Sequence, residues 1–147
     1  MKKEKLDHVK MLAMQGDAEA QFELGEYYFS RCTDAQTEEE EERFSKECFE
    51  WYRKAAQQGH IKSQLYLGEL YETGVCGEED DQQAATWYRR AAEQGDVTAQ
   101  YRLGELLLDG GWNLDADEEE AVKWLKLAAE QGDEDAQEIL SEEIEEE

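Results

Sequence analysis

Residues able to do chemistry are few in this chain, and they are scattered. The two histidines, His8 and His60, lie far apart, and neither has a neighbour at metal-ligand or acid–base spacing. Of the three cysteines, Cys76 in "ETGVCGEEDD" is the thiol expected to be exposed. No histidine is placed by sequence to activate it as a nucleophile. The acid run "DADEEE" at 115–120 resembles a fragment of a calcium loop. It lacks the sixth-position glycine and the closing glutamate spacing of an EF-hand. A helix start explains it better, with Asp115 or Asp117 as the cap and Glu118, Glu119 and Glu120 in the first turn. No glycine-rich phosphate loop and no S-x-x-K pair occurs. The reading is therefore no catalytic residue, no metal and no cofactor, with a thiol enzyme at Cys76 the weakest alternative.

Composition sets the kind of partner. The chain has 147 residues, with 39 Asp and Glu against 15 Lys and Arg, a formal net charge of −24. Nucleic acids and anionic membranes are contacted through Lys and Arg, so neither is an expected partner. Such a charge favours cationic ones. High charge can also mark disorder, but 39% of the residues are hydrophobic and they recur in register. No segment approaches the ~20 apolar residues of a membrane helix. The N-terminal "MKKEKLDHVKMLAMQGD" has Lys10 inside its only apolar stretch, which argues against a signal peptide. An odd cysteine count fits a reducing compartment, and a cytoplasmic location is expected.

What would position any site is a repeat. "WYRKAAQQGH" at 51–60 returns as "WYRRAAEQGD" at 87–96 and "WLKLAAEQGD" at 124–133. A second motif alternates with it: "AQFELGEYY" from Ala20, "SQLYLGELY" from Ser63 and "AQYRLGELL" from Ala99. Each motif reads as a helix. In the first type, Ala20, Leu24 and Tyr28 are spaced by four, as are Ser63, Leu67 and Tyr71, and Ala99, Leu103 and Leu107. In the second type, Ala84, Trp87, Tyr88, Ala91 and Ala92 make the equivalent stripe. The repeated tryptophans and tyrosines are expected in the core.

Glycine punctuates this pattern in two ways. The "QG" glycines, Gly16, Gly59, Gly95 and Gly132, suit the left-handed conformation that ends a helix. Asp17, Asp96 and Asp133 follow as caps for the next helix, with His60 a poorer cap in the same place. The "LG" glycines, Gly25, Gly68 and Gly104, sit inside helices at a cost of about 1 kcal/mol each relative to alanine. Close approach of the second helix would justify that cost, with Cys48, Ala84 and Ala121 as the small residues on its side. Cys48 is thus read as packing, and Cys32 as an apolar loop anchor. A Cys32–Cys48 disulfide within one repeat stays open.

The pattern A-x-x-x-L-G-x-x-Y, a loop, then A-x-x-W-Y-x-K-A-A-x-Q-G-D resembles the Sel-1-like repeat (SLR) family, relatives of the tetratricopeptide repeats. The likeness runs from about Asp17 to Leu140. It implies an all-α fold: a right-handed α-solenoid of antiparallel helix pairs, with three repeats plus terminal capping helices. The corresponding divisions are an N-terminal capping helix at 1–16, repeats at 17–59, 60–95 and 96–132, and a capping helix with an acidic tail at 133–147. The first repeat carries the longest connection, "SRCTDAQTEEEEERFSK", and its second helix is expected to start early, near Thr37 or Glu38. Trp112, outside the repeat stripe, is expected to pack down as the anchor of the third loop, the alternative being an exposed aromatic on the rim, available to a partner.

The resemblance also implies a function. Family members act as adaptors or scaffolds, and the first helix of each pair lines a concave groove. That places Phe22, Glu26 and Phe29 in the groove from the first repeat, Leu65, Glu69 and Glu72 from the second, and Tyr101, Glu105 and Leu108 from the third. Two ladders result: Glu26, Glu69 and Glu105 are acidic, while Phe22, Leu65 and Tyr101 are apolar and serve either to contact a peptide or to pack against neighbouring first helices. The reading is a monomeric, non-catalytic module that binds a protein or peptide ligand, basic and partly apolar. The alternative is an acidic chaperone or decoy that shields a basic protein through bulk charge.

Overall fold

The structure, a computed structural model, describes residues 1–145, and Glu146 and Glu147 of the acidic tail lie outside the described residues. Its α-helices are α1 (Lys3–Met14), α2 (Ala18–Thr33), α3 (Glu38–Gln57), α4 (Ile61–Thr73), α5 (Asp81–Glu93), α6 (Val97–Asp109), α7 (Glu118–Glu130) and α8 (Glu134–Glu145). They fall into two compact units, Met1–Glu79 with α1–α4 and Asp80–Glu147 with α5–α8. Within each unit, every helix packs on its neighbours in sequence. The fold class is all-α, built of paired helices.

Helix ends follow the punctuation. Asp17, Asp96 and Asp133 accept the amides of Ala20, Ala99 and Ala136, each at 2.8 Å. Thr37, Asp80 and Asp117 cap α3, α5 and α7 in the same way. His60 serves too, its Nδ1 accepting the Ser63 amide at 3.2 Å. The "QG" glycines all have positive φ, between 89° and 99°, which stops each second-type helix where the next chain direction begins.

Close packing explains the mid-helix glycines. A Cβ at Gly25 would sit 2.6 Å from Tyr52 Cε1, and one at Gly104 would sit 2.6 Å from Leu125 Cγ and 3.2 Å from the Ala121 carbonyl. At Gly25 and Gly104 the residue entering the gap is thus the one after tryptophan. Tyr52, Tyr88 and Leu125 are 2%, 0% and 0% exposed, whereas Trp51 and Trp124 are half-buried and only Trp87 is fully covered. The expectation that all repeated tryptophans are core is corrected on this point. Trp51 and Trp124 sit at the edge of the core, where their Nε1 atoms reach a carboxylate one turn back: Glu47 at 3.1 Å and Glu120 at 3.2 Å.

A glutamine relay holds successive helices in register. The Gln of each "AQ" or "SQ" motif reaches back eight residues to the end of the preceding second-type helix. Gln21, Gln64, Gln100 and Gln137 donate Nε2 to the carbonyls of Ala13, Ala56, Ala92 and Ala129 at 3.0–3.2 Å. These carbonyls lie in the last turn, where donors are short: each accepts the amide of the following glycine, Gly16, Gly59, Gly95 or Gly132, at 3.0–3.1 Å, and the glutamine supplies a second donor. A second layer comes from the "QG" glutamines. Gln58 donates Nε2 to the Gly16 carbonyl and to Gln21 Oε1, and Gln131 does the same to Gly95 and Gln100. Each unit therefore contains a chain of amides crossing three helices.

Two predictions follow from this packing. Replacing Gln100 by Leu keeps the volume but removes both a buried donor and the acceptor for Gln131. It should destabilise the fold by about 1–3 kcal/mol, read as a lower denaturant midpoint at unchanged slope. Trp87 Nε1 has no hydrogen-bond partner among the described residues. Its i−4 neighbour is Gln83, where the other repeats carry Glu47 and Glu120. Gln83→Glu should supply the missing acceptor and add about 1 kcal/mol, raising Tm by roughly 2–4 °C.

Candidate functional site

The first-type helices carry the candidate site, and the two units treat it differently. In Met1–Glu79 the faces of α2 and α4 open into a cavity of about 450 Å³, lined by Glu26, Phe29, Tyr52, Tyr66, Glu69, Leu70, Thr73 and Val75. The helix spacing brings Glu26 and Phe29 onto one face of α2, and Tyr66, Glu69, Leu70 and Thr73 onto one face of α4. Tyr52 enters from α3 over Gly25 and forms the floor. Its ring meets that of Tyr66 at 84° with centroids 6.1 Å apart.

Three of the sequence-derived groove residues meet in this cavity: Glu26, Phe29 and Glu69. Leu65 and Glu72 are half-buried on α4 and do not line it. Phe22 is 4% exposed, stacked among Tyr52, Tyr66 and His60 at centroid distances of 5.0–5.8 Å. It also borders a second, more polar cavity with Lys5, Glu19, Glu23 and Lys62, which shares Glu26 and Tyr66 with the first. Burial holds the Glu26 carboxyl above the usual carboxylate range; nearby Lys62 opposes this, and Glu23 and Glu19 reinforce it.

In Asp80–Glu147 the ladder residues are engaged locally. The Tyr101 hydroxyl donates to Glu105 Oε2 at 2.7 Å. That bond, with burial, pushes the phenol up to about 12. Tyr101 and Leu108 pack against the cluster of Leu125, Ala128 and Ala136, together with Ile139 and Leu140 of α8. The apolar members of the third repeat thus spend their surface on the neighbouring helix.

Tyr52, Tyr66 and Val75 are cavity residues absent from the sequence-derived set. Tyr66 carried a readable signal: it stands where the other copies have Glu23 and Arg102, an aromatic in place of a charge. Val75, 43% exposed, lies in a loop whose path sequence spacing does not give.

Trp112 departs from expectation. It does not pack down; it is 70% exposed. The loop beneath it is held by Asp81, 4% exposed, whose carboxylate accepts the Trp112 amide at 3.0 Å. Asn113 reinforces this, accepting the Asp81 amide and donating to the Asp80 carboxylate, both at 2.9 Å. The polar contacts fix the loop backbone and leave the indole outside.

Ser63, His60 and Glu19 form a line, with Nδ1 2.8 Å from the Ser63 hydroxyl and Nε2 2.8 Å from Glu19. Ser63 is 0% exposed, so no substrate reaches its oxygen, and the histidine acts as a cap. The three cysteines are free, and the disulfide left open between Cys32 and Cys48 is not formed. Cys32 lies at the end of α2, within the helix, and its Sγ donates to the Glu41 carbonyl at 3.6 Å. Cys76 is 7% exposed, which corrects its reading as the exposed thiol. Its backbone is left-handed, φ 59°, and the Ser45 hydroxyl donates to its carbonyl. Burial, with a hydrogen bond to Cys76, pushes the Cys32 thiol up to about 12, and burial also raises Cys48 and Cys76. Protonated, covered thiols are poor nucleophiles. Among the described residues no group of side chains has metal-binding geometry, and no helix is long and apolar enough to cross a membrane. A thiol-specific disulfide reagent should therefore find no fast-reacting cysteine in the folded chain and three after denaturation.

Comparison with known proteins agrees with this architecture. The family model described as Sel1 repeat matches residues 18–31, 45–60, 61–96 and 97–133. A Sel1 repeat protein from Oxalobacter formigenes is similar at 33% identity, over 94% of this chain and 98% of that one, with a TM-score of 0.73. A protective antigen of uropathogenic Escherichia coli, displaying an SLR fold, is 36% identical over 90% of this chain, also with a TM-score of 0.73. The chain spans 27% of that antigen's length. Cysteine rich protein B of Helicobacter pylori shares the fold at 22% identity and a TM-score of 0.57, over 83% of this chain and 96% of that one. No curated protein sequence matches the chain. Eight helices among the described residues, in the repeat order and matched over most of the chain by an α-solenoid family, give the conclusion: this chain belongs to the Sel1 repeat family.

Proposed function

We propose that this chain is a non-catalytic adaptor or scaffold whose first-type helices bind a basic, partly apolar protein segment. Sel1 repeats are protein–protein interaction scaffolds; the finer reading rests on one observation, the α2–α3–α4 cavity. It joins apolar and aromatic walls to the carboxylates of Glu26 and Glu69. A site of that make-up favours a ligand offering both apolar surface and positive charge. The chain's charge of −24 adds long-range attraction for the same class of ligand. Glu105 belongs to the proposed face as well, with Tyr101 as its intramolecular partner. Glu72, Leu65 and Leu108 extend the face as flanking contacts.

The test is selection from a random peptide library at near-physiological salt, followed by binding to the Glu26→Lys, Glu69→Lys, Glu105→Lys triple variant, with circular dichroism to show that both proteins are folded. The expected result is basic, apolar-containing peptides that bind the wild type and lose at least about tenfold on the variant, the cost of a desolvated charge pair. Equal binding to both proteins, abolished by modest salt, would replace this reading with the bulk-charge one.

A further inference from the structure

We propose that Trp112 is a separate docking point, where the indole face takes a cationic side chain from a basic protein segment, an inference that rests on the interaction-module reading above but lies elsewhere in the fold, in the connection between α6 and α7. The ring stands at the tip of a tight turn. Gly111 and Leu114 bond to each other in both directions, at 2.8 and 3.3 Å, and leave only Trp112 and Asn113 between them. The stem is closed as well, the Asp117 amide donating to the Leu107 carbonyl at 2.8 Å. Asp81, 4% exposed, accepts the Trp112 amide at 3.0 Å. All of this order falls on the backbone, while the side chain is 70% exposed. A large ring on a backbone fixed in advance costs little entropy to engage, as with the aromatic anchors of protein interfaces.

The charge around the ring selects the partner. From Leu103 to Val122 the sequence has no Lys or Arg, and the connection carries Asp109, Asp115 and Asp117, all exposed. Asp80 lies beside the turn, bonded to Asn113, and that bond with the Gln83 amide holds its carboxyl below the usual range. An anionic partner would be repelled here, and a purely apolar one would cover the ring but draw nothing from the carboxylates. A cation gains from both, since tryptophan offers the best aromatic face for one. The chain makes this pairing twice within itself: Lys54 Nζ lies 4.4 Å from the Trp51 ring centroid, and Arg90 Cζ lies 4.6 Å from that of Trp87. In both cases the cation comes from three residues further along the same helix. Three residues after Trp112 stands Asp115, outside any helix. The contact uses the ring face, and the indole N–H has no part in it.

The probe is an end-blocked nonapeptide of alternating lysine and leucine, with a counterpart in which every lysine is acetylated and neutral. Each is titrated into the full isotope-labelled chain at near-physiological salt and followed through the indole N–H resonances of the four tryptophans. The Trp112 signal is the one missing from Trp112→Leu, a variant that keeps an apolar side chain and the net charge. The lysine peptide should move the Trp112 signal saturably, and the acetylated peptide should not. Trp112→Leu, shown by circular dichroism to be folded, should bind the lysine peptide roughly two- to fivefold more weakly, the range for an exposed cation–π contact. Undiminished binding to Trp112→Leu, an equal response to the acetylated peptide, or a Trp112 signal that answers phosphatidylcholine vesicles and not the lysine peptide would overturn the docking point. The Glu26→Lys, Glu69→Lys, Glu105→Lys variant separates two failures. If it loses the peptide and Trp112→Leu does not, the docking point alone fails; if neither loses it, the interaction reading falls as well.

Discussion

The carbonyls at the end of each second-type helix set the terms for everything else. A helix that stops inside a packed array leaves acceptors pointing into its neighbours, and each must find a donor. Here one donor is the amide of the glycine that ends the helix, and the second is a glutamine borne by the next helix, eight residues on, in four places: Gln21, Gln64, Gln100 and Gln137. The glutamine amide fixes how far the next helix starts from the last one and which face it turns inward. Glycine then has its task defined. With the helices held at this distance, Tyr52 and Leu125 can enter the packing only because Gly25 and Gly104 carry no Cβ.

Repetition of this kind specifies a frame, and recognition falls to the residues that break it. The cavity in Met1–Glu79 depends on Tyr66, which is aromatic where its counterparts are Glu23 and Arg102. In the other unit, the equivalent helix turns its tyrosine toward its own glutamate and packs its leucine against the cluster of Leu125, Ala128 and Ala136. Two faces written in nearly the same motif thus have different capacities. The difference arises from what each helix is asked to cover, since a side chain committed to a neighbouring helix is withdrawn from any partner.

Much of the frame was legible in the sequence. The helix type, the caps at Asp17, Asp96 and Asp133, the left-handed "QG" glycines and the crowded "LG" glycines each have a local physical cause that spacing exposes. The glutamines were visible as repeated letters, but their role was not, because their partners lie on a different helix. Contact between distant segments was also what hid the burial of Cys76 and the outward turn of Trp112. Cys76 is covered because α3 passes over its loop, seen in the Ser45 contact. Trp112 is left outside because the loop's polar backbone wins Asp81. The candidate site was half legible: Glu26, Phe29 and Glu69 were read from the motif, whereas Tyr52 was assigned to the core alone and Val75 belongs to a loop.

The buried Asp81 carries a longer consequence. Its carboxylate lies where a Cβ on Gly111 would have to be, it accepts the Trp112 amide, and Asn113 spans from it to Asp80. Hydrogen bonds from Asn113 and the Gln83 amide hold the Asp80 carboxyl below the usual range. Five residues from two distant stretches, Asp80, Asp81, Gly111, Trp112 and Asn113, therefore answer to one another. A side chain at Gly111 would evict the carboxylate, and loss of Asn113 would strand two amides. Over evolutionary time these positions are expected to drift as a linked set, exchanged together or retained together. The connection between α2 and α3 is held by short-range bonds, such as those of Gln36 to Asp34 and Glu40, and is freer to gain or shed length.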